Sequence, residues 1–357
     1  MSLTAVITSD IHLKTTDKYA KILPSGINSR LQDRLDHLTK SVNFAIEKKV
    51  DYWLCLGDVF DKINPAEILR QKFVQVLAPL IKNKIPIIIL IGNHDTDYKV
   101  YSFMTETDLL NTLETDALTI ISEPTQLILK GIECLFIPFI PDEQVAEQLR
   151  KYKNQVVFGH FGVDGALIGG TEYVLSIGLS HKLFNHHRFT FLGHYHKAQT
   201  AKKWMYIGSI AKVDYGERND KKGFVYLEAT KEKITHQFID VKDRVFFQYT
   251  IYENEDPEFK ELQNWQNLKG QIVKLIFVGE EDWYLRFNIG EIRSKILKTQ
   301  EAHKLFIEHR TIYESRIRVP EIDASTTWNE GVEVYCKKNK RPDMIDLGKS
   351  ILSEIIT

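Results

Sequence analysis

Cysteine is scarce in this chain of 357 residues: there are three, Cys55, Cys134 and Cys336, scattered without pairing logic. That count excludes a disulfide scaffold and a thiolate-rich structural zinc site, and it fits a reducing compartment. Long apolar runs are missing too. The longest, near Pro86 to Ile91, falls far short of the roughly 20 residues that span a bilayer, and no signal peptide precedes the first apolar run, so the expectation is a cytoplasmic protein without a membrane partner. Neither sign of charge is in excess. With 47 Lys and Arg against 48 Asp and Glu, the net charge is −1, and overall charge lends no support to nucleic-acid binding. There is no internal repeat and no low-complexity tract. A chain of this length holds one large domain and one or two smaller ones, enough to bury a sizeable core.

What the sequence does have is a series of short polar marks, each behind an apolar run that reads as a buried strand. Ala5-Val6-Ile7 precedes Asp10-Ile-His12; Trp53-Leu54-Cys55-Leu56 precedes Gly57-Asp58; Ile87 to Ile91 precedes Gly92-Asn93-His94-Asp95. Val156-Val157-Phe158 leads to Gly159-His160, and Phe189 to Leu192 leads to Gly193-His194-Tyr-His196. Polar groups at the ends of successive strands converge on one edge of a sheet, where open α/β folds place their sites. Oxygen and imidazole donors without thiolate suit manganese, iron, zinc or magnesium.

The spacings make chemical sense one at a time. Asp10 and His12, at i and i+2 on a strand end, can point to one side and chelate one ion. Asp58 follows a glycine, which lets the backbone turn and an ion approach. Its two carboxylate oxygens can serve two ions. His194 and His196 repeat the i, i+2 arrangement, so that each imidazole can face a different ion. Asn93 can ligate through its carbonyl oxygen, leaving His94 for proton chemistry with Asp95 to orient it.

These five marks resemble, without a substitution, the motifs D-x-H, GD, GNH(D/E), GH and GHxH of the calcineurin-like metallophosphoesterase superfamily. The resemblance implies an α/β fold, a two-sheet β-sandwich flanked by helices. It also implies two divalent ions, manganese foremost, with magnesium, iron or zinc as alternatives. One ion would be held by Asp10, His12, Asp58 and His196 and the other by Asp58, Asn93, His160 and His194, with Asp58 as the bridge. The ions would share a water that attacks phosphorus in line, while His94 stabilises the transition state or protonates the leaving oxygen and Asp95 sets its orientation.

The superfamily spans phosphatases, nucleotidases, phosphodiesterases and nucleases, so substrate class has to come from other segments. Tyr206-Ile-Gly-Ser-Ile-Ala-Lys-Val-Asp-Tyr-Gly-Glu217, followed by Lys222-Gly223-Phe224, is similar to the segment after the last motif in SbcD-type nucleases, the nuclease subunits of double-strand-break repair complexes. Read without the metal motifs, the same stretch is a β-hairpin with a polar turn at Arg218 to Lys222. Two departures from the nuclease pattern stand beside the site: Asp61 where relatives place a His, and a long glycine-rich stretch after His160. The compact length is similar to the phage-type recombination endonuclease subunits, which implies a bacterial or phage-infected host cell.

Lys14, Lys197, Lys202 and Lys203 flank the ligand motifs and are candidates to meet DNA phosphates. Ser29-Arg-Leu-Gln32 reads as a capping box opening a helix with Leu31, Leu35, Leu38, Val42 and Ile46 on one face. Asn64-Pro65-Ala-Glu67 opens a second helix through about Lys82, with Pro65 in its first turn. By resemblance, surface helices near the second and third motifs form a homodimer, with Phe73, Val74, Leu77 and Tyr101 to Leu113 as candidates. The expected organisation is a nuclease domain over 1–243, a small α+β capping domain over 244–319 and a partner-binding segment over 320–357. That capping domain reads as strand (Val245 to Tyr252), helix (Pro257 to Gln266), strand (Gln271 to Val278), helix (about Asp282 to Thr299) and strand (His303 to Ile312), and in it Trp283, Tyr284 and Phe287 read as core rather than base-stacking residues. The last segment is polar and turn-rich until a short helix carrying Met344, Ile345, Leu347, Ile351, Leu352, Ile355 and Ile356, which either docks on its own domain or binds the coiled-coil base of an SbcC-type ATPase.

The reading is therefore a manganese-dependent DNA exo/endonuclease subunit of an SbcCD-like recombination and repair complex. Two alternatives stay open: a stand-alone phosphodiesterase or phosphatase on a small molecule or protein, and a silent scaffold for an ATPase partner. The intact ligand set counts against the scaffold.

Overall fold

In the computed structural model, residues 2–96, 117–167, 178–260, 265, 267–311 and 326–356 are described. Each apolar run becomes a strand whose two faces are both buried, as expected of parallel strands covered on either side. Strands β1 (Leu3–Thr8), β2 (Tyr52–Cys55), β3 (Ile87–Leu90) and β4 (Leu118–Ile121) run parallel. Strands β5 (Thr125–Leu129), β6 (Ile132–Ile137), β7 (Val156–His160), β8 (Phe189–Gly193), β9 (Gln199–Thr200) and β10 (Trp204–Tyr206) form a second sheet, ordered β5-β6-β7-β8-β10-β9. Strands β11 (Gly223–Ala229) and β12 (Ile234–Asp240) return to the first sheet and extend it antiparallel to β1, giving β12-β11-β1-β2-β3-β4. The segment from Tyr206 to Gly223 is thus no hairpin: it carries the chain from one sheet to the other.

Strict alternation sorts the side chains into layers. Val6, Trp53, Cys55, Ile87 and Ile89 face helices α1 (Ser29–Lys48) and α2 (Glu67–Lys82), packing on Leu31, Leu35, Leu38, Phe73 and Leu77. Their neighbours Ala5, Ile7, Leu54, Ile88 and Leu90 face the other sheet and meet Phe136, Val156, Phe158 and Phe191. The outer face of the second sheet, with Leu135, Val157 and Leu192, is covered by helix α3 (Asp142–Lys151) through Val145 and Leu149. The order is helices, sheet, sheet, helix, which is the expected sandwich.

Several local expectations are corrected. The N-cap of α1 is Asn28, whose side chain accepts from Leu31 N, and not Ser29. Ser29 instead accepts from Lys21 N at 3.0 Å and lies 2.9 Å from His303 Nε2. Helix α2 starts at Glu67 with Ala66 at its N-cap and no side-chain cap, so Pro65 precedes the first turn. Phe73 and Leu77 are fully buried in the helix–sheet core, which removes them as homodimer contacts; the segment Tyr101 to Leu113 lies outside the described residues.

After β12 the chain turns through Asp243 and Arg244 into a three-stranded parallel sheet, β13 (Phe246–Tyr252), β14 (Ile272–Val278) and β15 (Lys304–Arg310). The long helix expected over about Asp282 to Thr299 is broken into Glu281–Tyr284, Ile289–Ser294 and a π-helical turn Lys295–Thr299. Asn288 interrupts it by capping Glu291 N. Of the helix expected over Pro257 to Gln266, residues 261–264 and 266 are outside the described set. Trp283 is core, with its indole N–H donated to Pro257 O at 2.8 Å.

This small module is fastened to the sandwich by charge and by aromatics. Arg244 grips both Asp33 oxygens, at 2.9 and 2.8 Å, and donates to Gly270 O at 2.6 Å. Tyr19, Tyr215, Phe246 and Phe306 interlock edge to face beside it. Toward the C-terminus a helix not expected from the sequence, Trp328–Lys338, precedes the short turn Pro342–Met344 and the expected helix Ile345–Ile356. Its start is a capping box, Thr327 with Glu330.

Candidate metal centre

The ligand motifs lie at the C-terminal ends of β1, β2 and β3 in one sheet and of β7 and β8 in the other. The expected single sheet edge is therefore a seam between two sheets. The backbone at the seam is bent into unusual shapes: Asp10, His12, Asp58 and His194 have φ of 50°, 48°, 55° and 96°. Left-handed backbone at a residue with a side chain costs on the order of 1 kcal/mol, and such strain gathers where geometry serves function. It is held by a ladder between neighbouring loops, Asp10 N to Gly57 O at 3.1 Å and His12 N to Asp58 O at 3.0 Å. Gly57 itself has φ +94°, and a Cβ there would sit 2.4 Å from His160 Nδ1. Only glycine lets the Asp58 loop come this close to the imidazole.

The donors converge. Asp58 Oδ2 lies 3.6 Å from His12 Nε2 and 3.5 Å from His160 Nε2, between the two. On one side His12 Nε2 is 3.0 Å from His196 Nε2 and 4.0 Å from Asp10 Oδ1. On the other, Asn93 Oδ1 is 2.9 Å from both His160 Nε2 and His194 Nδ1. Ligand atoms of Asp10, His12 and His196, of Asp10, Asp58 and His160, and of His12, Asp58 and His94 each fall within 4.8 Å of one another. Two groups of hard and borderline donors share one carboxylate, which is the donor set for a pair of divalent ions.

Electrostatics point the same way. Burial pushes the Asp58 carboxyl up, but the neighbouring His160 and His12 more than offset it and hold it well below the usual carboxylate range. Burial would lower His160, yet Asp58 and then Asp10 raise it to about 9. Asp10 is pushed up by burial, and burial followed by the His160 charge drives His194 down to about 3. Asp58 held ionised, beside His12 and His194 held toward their neutral forms, presents lone pairs to a cation.

Asp95 does a different job from the one expected. Its carboxylate accepts from Asp58 N at 2.8 Å and Gly92 N at 3.0 Å, stitching the second motif to the third. Burial, then the Asp58 charge, raises it to about 7. His94 is oriented by the Asp61 main-chain carbonyl, 3.0 Å from Nδ1, while His94 N donates to Asp58 Oδ1 at 2.9 Å. The Asp61 side chain pairs with Lys14 at 3.1 Å. Of the four candidate lysines, Lys14 and Lys197 adjoin the ligands. Lys202 and Lys203 do not, because β10 runs parallel to β8 and they precede it, at the end of the sheet away from His194. Lys203 donates to His187 O at 2.9 Å there.

Three contributors escape a reading of the sequence. The Ser9 hydroxyl lies 2.5 Å from Asp10 Oδ2. Glu217 and Lys222 meet His196, Glu217 Oε1 standing 2.8 Å from Nδ1. Both belong to the stretch that resembles SbcD-type nucleases, but no local spacing announces their contact with His196.

Comparison with known proteins agrees with the geometry. The chain is 22% identical over 205 residues to an exonuclease subunit of Enterobacteria phage T4, covering 56% of this chain and 59% of that protein. It is 28% identical over 174 residues to the DNA double-strand break repair protein Mre11 of Saccharolobus solfataricus, covering 47% and 44%. It is 24% identical over 245 residues to an SbcCD nuclease subunit of Staphylococcus saprophyticus, covering 60% and 64%. The matches thus span about half to two-thirds of these relatives' lengths. The pattern that defines the calcineurin-like phosphoesterases matches residues 3–304, and with six further donors gathered around Asp58 this chain belongs to that family.

Proposed function

We propose that the protein is a manganese-dependent DNA exo/endonuclease, the nuclease subunit of an SbcCD-like recombination and repair complex. The observation that carries the reading is Asp58 Oδ2 standing midway between His12 and His160, each with its own set of further donors. The names of the similar proteins supply the substrate class: exonuclease subunit, double-strand break repair protein, SbcCD nuclease subunit. Asp10, His12, Asp58 and His196 would hold one ion and Asp58, Asn93, His160 and His194 the other. Two bound ions supply an activated water and neutralise charge on the phosphoryl oxygens.

The chain's own residues do the rest. His94 donates its Nδ1 proton to the Asp61 carbonyl, leaving Nε2 free to carry the proton handed to the leaving oxygen. Its main-chain N–H donates to Asp58 Oδ1, which ties the backbone of the general acid to the shared carboxylate. Lys14 and Lys197 stand beside the ligands to meet flanking phosphates. In this reading residues 1–243 form the catalytic domain, 244–319 hold DNA over the site, and 320–357 engage an ATPase partner. Support for the last is an open groove of about 990 Å³ between the two C-terminal helices, lined by Trp328, Val332, Tyr335, Leu347 and Ile351. Trp328 is 75% exposed there. Among the described residues no helix is long and apolar enough to cross a membrane. A homodimer in solution is part of the proposal, and sedimentation tests it.

The deciding experiment incubates the protein with manganese and linear double- and single-stranded DNA, beside His94→Ala and a generic aryl phosphodiester. Wild type should degrade DNA, and the variant should lose about 10²- to 10⁴-fold in rate, the usual contribution of a general acid, while still binding metal. Cleavage of the aryl ester with DNA untouched, even when an SbcC-type ATPase is added, would move the substrate to the small-molecule class.

A further inference from the structure

We infer that Glu217 is a positioning residue of the metal centre, fixing the His196 imidazole through a buried relay completed by Lys222 and Ser209; the inference rests on His196 being a ligand. Glu217 is 7% exposed at its side chain, and its two oxygens are fully engaged. Oε1 stands 2.8 Å from His196 Nδ1, and Oε2 accepts from Val213 N at 2.9 Å and from Lys222 Nζ at 2.8 Å. The Lys222 side chain is completely buried and reaches two further acceptors, His196 O at 2.8 Å and Ser209 Oγ at 2.9 Å. Ser209 N donates to the same His196 carbonyl at 3.1 Å. One network therefore grips His196 by its ring and by its backbone.

The chemistry of the grip is directional. An ionised carboxylate accepts a hydrogen bond from Nδ1–H, which fixes the tautomer and leaves the Nε2 lone pair facing His12 Nε2, 3.0 Å away, on the side where Asp10 and Asp58 gather. A carboxylate behind a metal-bound imidazole also raises its basicity. His160 and His12 lack a hydrogen-bonded carboxylate at Nδ1. His160 Nδ1 is held by the neutral Leu56 carbonyl at 2.6 Å, and Asp61 Oδ1 stands 3.9 Å from His12 Nδ1, beyond hydrogen-bonding range and paired with Lys14. Among the described residues, the side of the centre formed by Asp10, His12 and His196 is the one stiffened in this way.

Fold stability alone does not account for the arrangement. A buried carboxylate–ammonium pair gains little over apolar residues of the same volume once desolvation is counted. An orienting role explains why charge stands at this point. It also assigns a purpose to the segment from Tyr206 to Gly223, which crosses between the two sheets. The crossover brings Ser209, Glu217 and Lys222, distant from His196 in sequence, around that one residue.

The test is calorimetric titration of the full chain with manganese chloride for wild type, Glu217→Gln, Glu217→Ala and the charge-neutral double variant Glu217→Ala/Lys222→Met. Far-UV circular dichroism and metal-free unfolding midpoints confirm the fold of each. Wild type should bind two ions. Glu217→Ala and the double variant should weaken one of the two by about 10- to 100-fold, the usual effect of removing such a partner, and leave the other unchanged. Glu217→Gln, which keeps an acceptor oxygen, should fall between. A double variant that binds both ions like wild type would reduce Glu217 to a counter-charge for Lys222 and overturn the inference. Equal weakening of both ions would overturn it as well, since the role assigned is to one side only. A wild type that binds no ion would overturn the metal-centre reading itself, a separate failure.

Discussion

Adding a single methyl group at Gly193 should dismantle the metal centre from behind. A Cβ there would lie 2.2 Å from Ser9 Oγ, 2.3 Å from Leu56 O and 2.9 Å from His160 Nδ1, against the 3.4–4 Å of an ordinary contact. The Ser9 hydroxyl can rotate away, but the Leu56 carbonyl is backbone at the end of a central strand and has to shift by about 1 Å. That carbonyl holds His160 Nδ1 at 2.6 Å and Ser9 Oγ at 3.1 Å, and Ser9 in turn contacts Asp10. Overpacking of a tight site costs about 1–3 kcal/mol. Losing two buried hydrogen bonds adds about 1 kcal/mol each, so Gly193→Ala should destabilise the metal-free protein by roughly 3–5 kcal/mol. Both Asp10 and His160 are displaced together, so both ions should weaken. Guanidinium unfolding with linear extrapolation measures the first effect, and manganese titration of the folded variant measures the second. A loss below about 1 kcal/mol with both ions bound as tightly as in wild type would refute the claim that the seam is packed to contact.

The joint between the two modules gives two further expectations. Arg30 is fully buried and bonds Asp33, Asp243 and the Lys212 carbonyl. Arg30→Met should cost about 3–5 kcal/mol by leaving the buried Asp243 carboxylate without its guanidinium partner, and adding Asp243→Asn should recover part of it; urea unfolding of the single and double variants decides. His303 is pushed down to about 4 by burial and then by the charges of Arg244 and Lys21, with Asp33 pulling the other way and Arg30 adding a smaller push down. Its unfolded value is about 6.5, so as pH falls below that the unfolded chain takes up a proton the folded one refuses. Its stabilisation is therefore full above about pH 6.5 and declines steadily down to about pH 4. Unfolding midpoints across that window should fall less steeply for His303→Gln, and equal slopes would count against the assignment.

How much of this was legible in the sequence depends on the range over which each feature is encoded. The strands and the motifs behind them were, because a short β-branched apolar run and a glycine before a ligand are local patterns: Ile87 to Leu90 could be placed without knowing what it packs against. Choices between adjacent residues of similar chemistry were not. Asn28 and Ser29 are both good caps, and which one caps was settled by Ser29 being drawn to Lys21 and to His303 of the small C-terminal sheet module. Position relative to the site also misled where strand direction was unknown. Lys202 and Lys203 follow the last motif closely in sequence, yet entry into β10 from the far end of the sheet carries them away from it. Asp95 was expected to orient His94, and the main-chain carbonyl of Asp61 does so instead, for a related reason. A carboxylate beside His94 was the obvious orienter, but the tight turn at Gly92 aims Asp95 at backbone N–H groups of two loops, and His94 is left to a main-chain carbonyl that no side-chain pattern encodes. Glu217 and Lys222 mark the far limit, 21 and 26 residues beyond His196. Family likeness flagged their segment, while only the crossing from the second sheet back to the first explains why an acid and a lysine are needed in it.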